Sequence, residues 1–200
     1  MYKKKIAYFF LIIFLSFICI NNSIAIEPYL FVQETADKAS EALNKRQSKE
    51  EKMEILKIIA KEAVDIKGIG NYSLGAHRKK LSDKKKDEYF EIFEQYFLIS
   101  FSSRLAEYTD PKIRVDTQKK LNDKYTMVSS TLLATSEKPE IKIDWRVITK
   151  NPDNPLIIDV IIEGVSLAKV QREEFNSIIQ NNDEDINSLL LTLQEFIDKK

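Results

Sequence analysis

Histidine is nearly absent from this chain, and cysteine, tryptophan, glycine and proline are scarce. There is one histidine, one cysteine, one tryptophan, four glycines and five prolines among 200 residues. A single histidine, His77, cannot form a histidine cluster around a metal, and any histidine-based catalytic triad rests on that one ring. With Arg78, Lys79 and Lys80 after it, His77 reads as part of a solvated loop. The lone cysteine, Cys19, lies in the first 25 residues. Without that segment no thiol remains for a disulfide, a thiolate zinc site or a cysteine nucleophile. So few glycines and prolines leave little room for a flexible linker, and Gly68-Ile69-Gly70 lacks the third glycine and the preceding strand of a dinucleotide fingerprint. An excess of charge of one sign is missing too. With 31 basic and 31 acidic residues, nothing in the balance favours nucleic acid or an anionic membrane surface as a partner.

One long apolar run is present, and it stands at the start. Lys3, Lys4 and Lys5 precede an apolar stretch from Ile6 to Ile20, and a small-x-small step follows at Ser23-Ile24-Ala25. This is the pattern of a signal peptide cleaved after Ala25, and the run is short of the roughly 20 residues a bilayer span needs. The alternative is an uncleaved anchor; lipid attachment at Cys19 is disfavoured because bulky Ile18 precedes it. The expected organisation is therefore a signal peptide over 1–25 and one domain over 26–200, exported to an oxidising compartment. Cleavage removes three lysines, leaving 28 basic against 31 acidic residues and a net charge of −3.

The domain reads as helices, then strands, then helices. Val32, Ala36, Ala39 and Leu43 share a helical face over about 33–43, and Ser48-Lys49-Glu50-Glu51 is a capping box opening a second helix with Met53, Leu56, Ala60, Ala63 and Val64 on one side. Gly68, Gly70 and Gly75 are expected to break the next stretch. Ser82 then caps a helix over 83–108, on the order of 40 Å long at about 1.5 Å per residue, with Phe90, Phe93, Phe97, Phe101, Leu105 and Tyr108 on one face. After Asp110-Pro111 the period becomes two: Ile141, Ile143, Trp145 and Val147 alternate with Glu140, Lys142, Asp144 and Arg146. Tyr125–Ala134 and Leu156–Glu163 are further strands, and Asn151-Pro152-Asp153-Asn154 is a turn. Two helices close the chain, one opening near Ser166 and one carrying Ile186, Leu189, Leu190, Leu193 and Ile197. Sequential strands with short turns give an antiparallel sheet, and helices grouped around it an α+β fold. Asp159 and Glu163 share a strand parity and are the one candidate carboxylate pair; the simpler reading has them facing water or accepting hydrogen bonds from the next helix's amides. The sequence offers no other catalytic constellation.

One stretch carries a family resemblance. Ile162-Glu163-Gly164-Val165-Ser166-Leu167, followed by Arg172 and Phe175, closely resembles the EGVSL…R..F signature of the MlaC-like, toluene-tolerance family of periplasmic phospholipid-binding proteins. Asp65, Ile69, Leu74-Gly75, Phe93, Phe101, Leu105 and Tyr108 fall in order on the family's helical pattern, and Asp144-Trp145-Arg146 and Asp159-Val160 on its strand motifs. The resemblance spans roughly residues 30–198. Arg78 and Pro155 stand where the family often has tryptophan, and Gln171 where it has tyrosine.

The resemblance implies a curved antiparallel sheet packed with helices around an apolar lipid cavity, comparable to the NTF2-like fold. It implies the periplasm as the compartment and no cofactor, with phospholipid as cargo. The implied partners are an inner-membrane ABC transporter complex with a lipid-binding ring and an outer-membrane lipoprotein–porin complex, in a system that maintains outer-membrane lipid asymmetry. The expected lining is Leu74, Phe93, Phe97, Val147, Ile158, Val160, Val165 and Leu167, with Ile158 and Val160 sharing a face by parity. Gly164 is expected to turn the chain sharply into the helix that Ser166 caps, and Arg172 to pair with a carboxylate such as Glu163 or to face a lipid phosphate or partner. The competing class is a small dehydratase or isomerase on the same cone-shaped fold. A carboxylate or His77 aimed into the cavity would mark it.

Overall fold

The computed structural model describes residues 26–136 and 138–200; the signal-peptide expectation lies outside these residues. Within them the order is α1 (Pro28–Asn44), α2 (Lys49–Ala63), α3 (Ile66–Leu74), a 3-10 turn (His77–Lys80), α4 (Asp83–Leu105), β1 (Ile113–Asn122), β2 (Tyr125–Leu132), β3 (Ile141–Ile148), β4 (Leu156–Ile162), β5 (Val165–Ser166), α5 (Leu167–Gln180) and α6 (Ile186–Asp198). The strands pair in sequence order, each antiparallel to the next, as one curved and unclosed sheet. The fold is α+β.

Local chemistry accounts for the helix starts. Pro28 occupies the first turn of α1, where its missing N–H costs nothing, so α1 begins five residues before its apolar periodicity becomes legible. At α2, the Ser48 hydroxyl accepts from the Glu51 amide at 3.1 Å and the Glu51 carboxylate accepts from the Ser48 amide at 2.9 Å. Ser48→Ala should cost about 1 kcal/mol in urea unfolding; a change below about 0.3 kcal/mol would mean that the box adds nothing to α2 beyond solvent.

Two expectations are corrected. Gly68 and Gly70 do not break the chain but lie inside α3, where each permits a close approach. A Cβ on Gly68 would stand 2.1 Å from the carboxylate of Asp65, which caps α3 through the Gly68 amide at 2.8 Å. A Cβ on Gly70 would stand 2.8 Å from the Phe93 ring. Only Gly75 ends the helix, at φ +55°. In α4, which ends at Leu105 and not at Tyr108, the buried residues are Tyr89, Phe93, Leu98, Ser102 and Ser103. Phe90, Phe97, Phe101 and Leu105 are only half-buried. The single aromatic face fails because α4 packs against α2, α3 and α6, which cover it from several sides.

Buried apolar side chains form two clusters. The helical one joins α3, α4, α5 and α6 around Leu74, Tyr89, Phe93, Phe175, Ile179 and Leu189. The other packs α1 and the end of α2 on the sheet through Val32, Ala63, Val115, Val128, Val147 and Ile157. Val64 touches both. It also forms a parallel bridge to Ile157, with the Asp65 amide donating to the Ile157 carbonyl at 3.0 Å, so the α2–α3 link covers part of β4 that β5 is too short to reach.

Candidate functional site

Cross-strand partners share a sheet face, and this rule defines the face on which α1 packs. Thr126, Val147 and Ile157 form one row across β2, β3 and β4; Val128, Trp145 and Val160 form the next; Ser130, Ile143 and Ile162 form the third. Across β2, β3 and β4 this face is apolar except for the hydroxyls of Thr126 and Ser130, while β1 brings Gln118 and Lys120 beside Val128 and Thr126. Trp145 Nε1 donates to Ser130 Oγ at 2.8 Å, and Ser130 Oγ donates to the Ile143 carbonyl at 3.1 Å. The half-buried indole is thereby held against the sheet. In the helical layer a column of rings runs along α4: Tyr89 to Phe93 at 5.5 Å, Phe93 to Phe97 at 6.0 Å, and Phe97 stacked on Phe101 at 5.9 Å.

The eight residues expected to line one wall are divided among four places. Leu74, Phe93 and Phe97 belong to or pack against the helical cluster. Val147 and Val160 belong to or pack against the sheet cluster. Val165 and Leu167 are 53% and 45% exposed, because the short β5 pairs only with β4 and stands at the sheet edge. Ile158 is the extra residue where the β3–β4 register slips between Arg146 and Val147. That bulge breaks the assumed parity of Ile158 with Val160. Ile157, not Ile158, lies opposite Val147 in the row next to Val160.

The signature segment is likewise more specific than a single sharp turn. Glu163 and Gly164 have φ of +48° and +82° between the paired Ile162 and Val165, the conformation of a two-residue hairpin. The chain therefore reverses into β5 before it enters α5. Ser166 caps α5, accepting from the Lys169 amide at 3.1 Å, and donates to Asp159 at 2.7 Å. Asp159, only 4% exposed, also accepts from the Ala168 amide at 3.1 Å and lies 3.7 Å from the Arg146 guanidinium. Glu163 instead accepts from the Lys142 amide at 2.5 Å. The two carboxylates are thus separate structural acceptors and not an acid–base pair. His77 Nε2 is 3.0 Å from Asn176 Oδ1 and ties the 3-10 turn to α5.

Arg172 does not pair with Glu163. Its guanidinium lies over the Tyr72 ring, 5.1 Å from the centroid, and packs against Gly75. Gln171, at the family's tyrosine position, accepts from the Tyr96 hydroxyl at 3.2 Å. Sequence reasoning passed over Tyr89, which is fully buried and donates to the Gly70 carbonyl at 3.0 Å. Burial, followed by the nearby Tyr96, raises its hydroxyl pKa far above the ordinary tyrosine value. Its place one helical turn before Phe93 was the available signal.

The MlaC protein family model matches residues 33–195. The chain belongs to the MlaC family. A relative, the intermembrane phospholipid transport system binding protein MlaC of Haemophilus influenzae, is 22% identical over 176 residues, covering 84% of this chain and 81% of that protein. The solved structure of a phospholipid-binding protein from Ralstonia solanacearum, in complex with a phospholipid, superposes with a TM-score of 0.72 at 14% identity, covering 87% of this chain and 98% of the other. That likeness shows the fold. Both proteins are named for phospholipid, not for a reaction.

Proposed function

We propose that this MlaC-family chain is a periplasmic carrier that holds the acyl chains of a phospholipid and shuttles them between an outer-membrane lipoprotein–porin complex and an inner-membrane ABC transporter complex with a lipid-binding ring. On this reading it serves the lipid asymmetry of the outer membrane. The family match over residues 33–195 carries the reading. The phospholipid named for both similar proteins supports the cargo, and the signal-like first 25 residues support the compartment.

The acyl chains lie between the two apolar clusters, with Phe97 on the helical side and Val160 beside Trp145 on the sheet side. These side chains are half-buried, whereas Leu74, Phe93 and Val147 behind them are at most 1% exposed. Cargo enters by parting the layers along this seam, while Val165 and Leu167 offer apolar surface at its rim. Two acyl chains carry about 30 methylenes, so keeping them from water is worth roughly 25 kcal/mol. In a bilayer the same chains are already dry. Transfer between membrane and protein is therefore near balance, and the carrier's contribution is to shield the tails in transit.

Lipid extraction and mass spectrometry of protein purified from its native periplasm should find phospholipid in near-stoichiometric amount. Trp145, the sole tryptophan, should shift its emission when lipid is stripped. Val160→Glu places a carboxylate in the seam, where an unpaired charge in an apolar wall costs several kcal/mol, and should abolish copurifying lipid while the fold persists. A folded variant with unchanged lipid would remove Val160 from the wall; wild-type protein free of phospholipid would overturn the carrier reading itself.

A further inference from the structure

Two adjoining depressions of about 330 and 290 Å³ open where α3, the 3-10 turn, α4 and α5 meet. Every charged side chain lining them is a cation: Arg78, Lys79, Lys86 and Arg172. Among the described residues no carboxylate reaches either wall, in a chain whose acidic and basic residues are equal in number. Lys86 is engaged by Asp83 at 3.0 Å, but Arg78, Lys79 and Arg172 form no ion pair among the described residues.

Arg172 is also held in place. One side of its guanidinium covers the Tyr72 ring, and Gly75 leaves room for it, since a Cβ there would come within 3.0 Å of Arg172 Nε. Stacking on a ring uses the flat face of a guanidinium and leaves its in-plane N–H donors available. A ring-stacked planar cation with unconsumed donors, beside two more unpaired cations, is a recognition geometry for a tetrahedral oxyanion; the neighbouring Asn71 amide already donates one N–H to the Lys67 carbonyl at 3.1 Å. Leu74 and Phe90 form an apolar floor beside it, which suits an anion attached to carbon.

We propose that this cleft is a phosphate-binding subsite that takes the phosphodiester of a phospholipid headgroup, with Arg172 as the oriented donor and Arg78 and Lys79 as the flanking charges. The source of the phosphate rests on the carrier reading; the anion chemistry does not. Arg172 belongs to the signature segment, whereas Arg78 stands where the family pattern often has tryptophan, so the flanking charge at Arg78 is a property of this chain.

The test uses the mature chain at low ionic strength, following the Arg172 Nε–H resonance by NMR during titration with glycerol 3-phosphate, with dihexanoyl phosphatidylglycerol below its micelle concentration, and with sodium chloride at matched ionic strength. Both phosphate compounds should give a saturable shift that chloride does not reproduce. Arg172→Lys, observed through the neighbouring Tyr72 and Asn71 signals, and the double variant R78Q/K79Q should each weaken binding about tenfold, because a point charge does not replace a fork and the flanking charges are lost. Unchanged thermal unfolding of the variants shows that folding is not the cause. A shift matched by chloride, or one unaltered in both variants, overturns the site. Saturation by glycerol 3-phosphate but not by the lipid keeps an anion site and overturns its assignment to a headgroup. Acyl cargo measured by extraction in the same preparations reports on the carrier reading separately, since the seam does not include these residues.

Discussion

Phe93→Ala is expected to lower the unfolding free energy by about 4 kcal/mol, near the middle of the range for emptying a buried aromatic site. Phe93 is 1% exposed, and its ring is surrounded by those of Tyr89, Tyr96, Phe97 and Phe175 at 5.5, 6.4, 6.0 and 6.0 Å. On the remaining side it contacts the α3 backbone at Gly70, which has no side chain to swing into a void. The site can relax little, so the cavity persists. For a domain of this size, that loss corresponds to a fall in melting temperature of roughly 10 °C. Phe97→Ala, at a half-buried position, should cost about half as much. Paired urea titrations decide the matter: equal losses at the two positions, or a loss under about 1.5 kcal/mol at Phe93, would show that the helical cluster is not centred where the rings converge.

Asp159→Ala is expected to cost about 3 kcal/mol. The carboxylate joins three elements, accepting from Ser166 in β5 and Ala168 in α5 while standing beside Arg146 in β3. Alanine would leave the buried Ala168 amide without its acceptor and remove the anchor of the helix cap. Asp159→Asn keeps one acceptor oxygen and should lose nearer 1 kcal/mol. Because Ser166 shares the Asp159 network, Ser166→Ala and Asp159→Ala should be non-additive in a double-mutant cycle. Strict additivity, or an Asp159→Ala loss below about 1 kcal/mol, would mean that α5 is oriented by packing alone. The same network explains why Asp159 is no general base: its oxygens are committed to holding α5 against the sheet.

Much of the architecture was legible because its causes are local. The serines at 48, 82 and 166 were assigned as caps from residues within the next few positions, and each accepts a backbone amide three residues on. The alternation in β3 and the run of β4 were visible because strand period is a property of the segment itself. The EGVSL-like segment was legible as a unit, and its positive-φ glycine stands as expected. The candidate site was read less well. Assigning Ile158 to the wall required knowing that β4 has no bulge, and that is settled by the partner strand β3. Calling Gly68 and Gly70 breakers required knowing that nothing presses against them, whereas Asp65 and Phe93 do. For Arg172 the sequence left a carboxylate such as Glu163 and a lipid phosphate or docking partner both open, and could not show its ring partner, Tyr72, which sits on a helix 100 residues away.

By itself the sequence determined most of the element types, the starts of the helices that Ser48, Ser82 and Ser166 cap, the antiparallel order, the poverty of catalytic groups and the family. Each depends on hydrogen bonds or periodicity within a few residues, or on a contiguous motif. Only the tertiary structure decided that the apolar residues divide into a helical cluster and a sheet cluster meeting at Val64, that Ile157 and not Ile158 faces Val147's row, that Asp159 and Glu163 serve different amides, and that Arg172 lies unpaired in a cleft of cations. The physical reason is common to all four. A side chain's direction and partner depend on the register of a neighbouring strand or the rotation of a packed helix, and both are set by close packing across the whole domain, where one bulge or one missing Cβ redirects every contact around it.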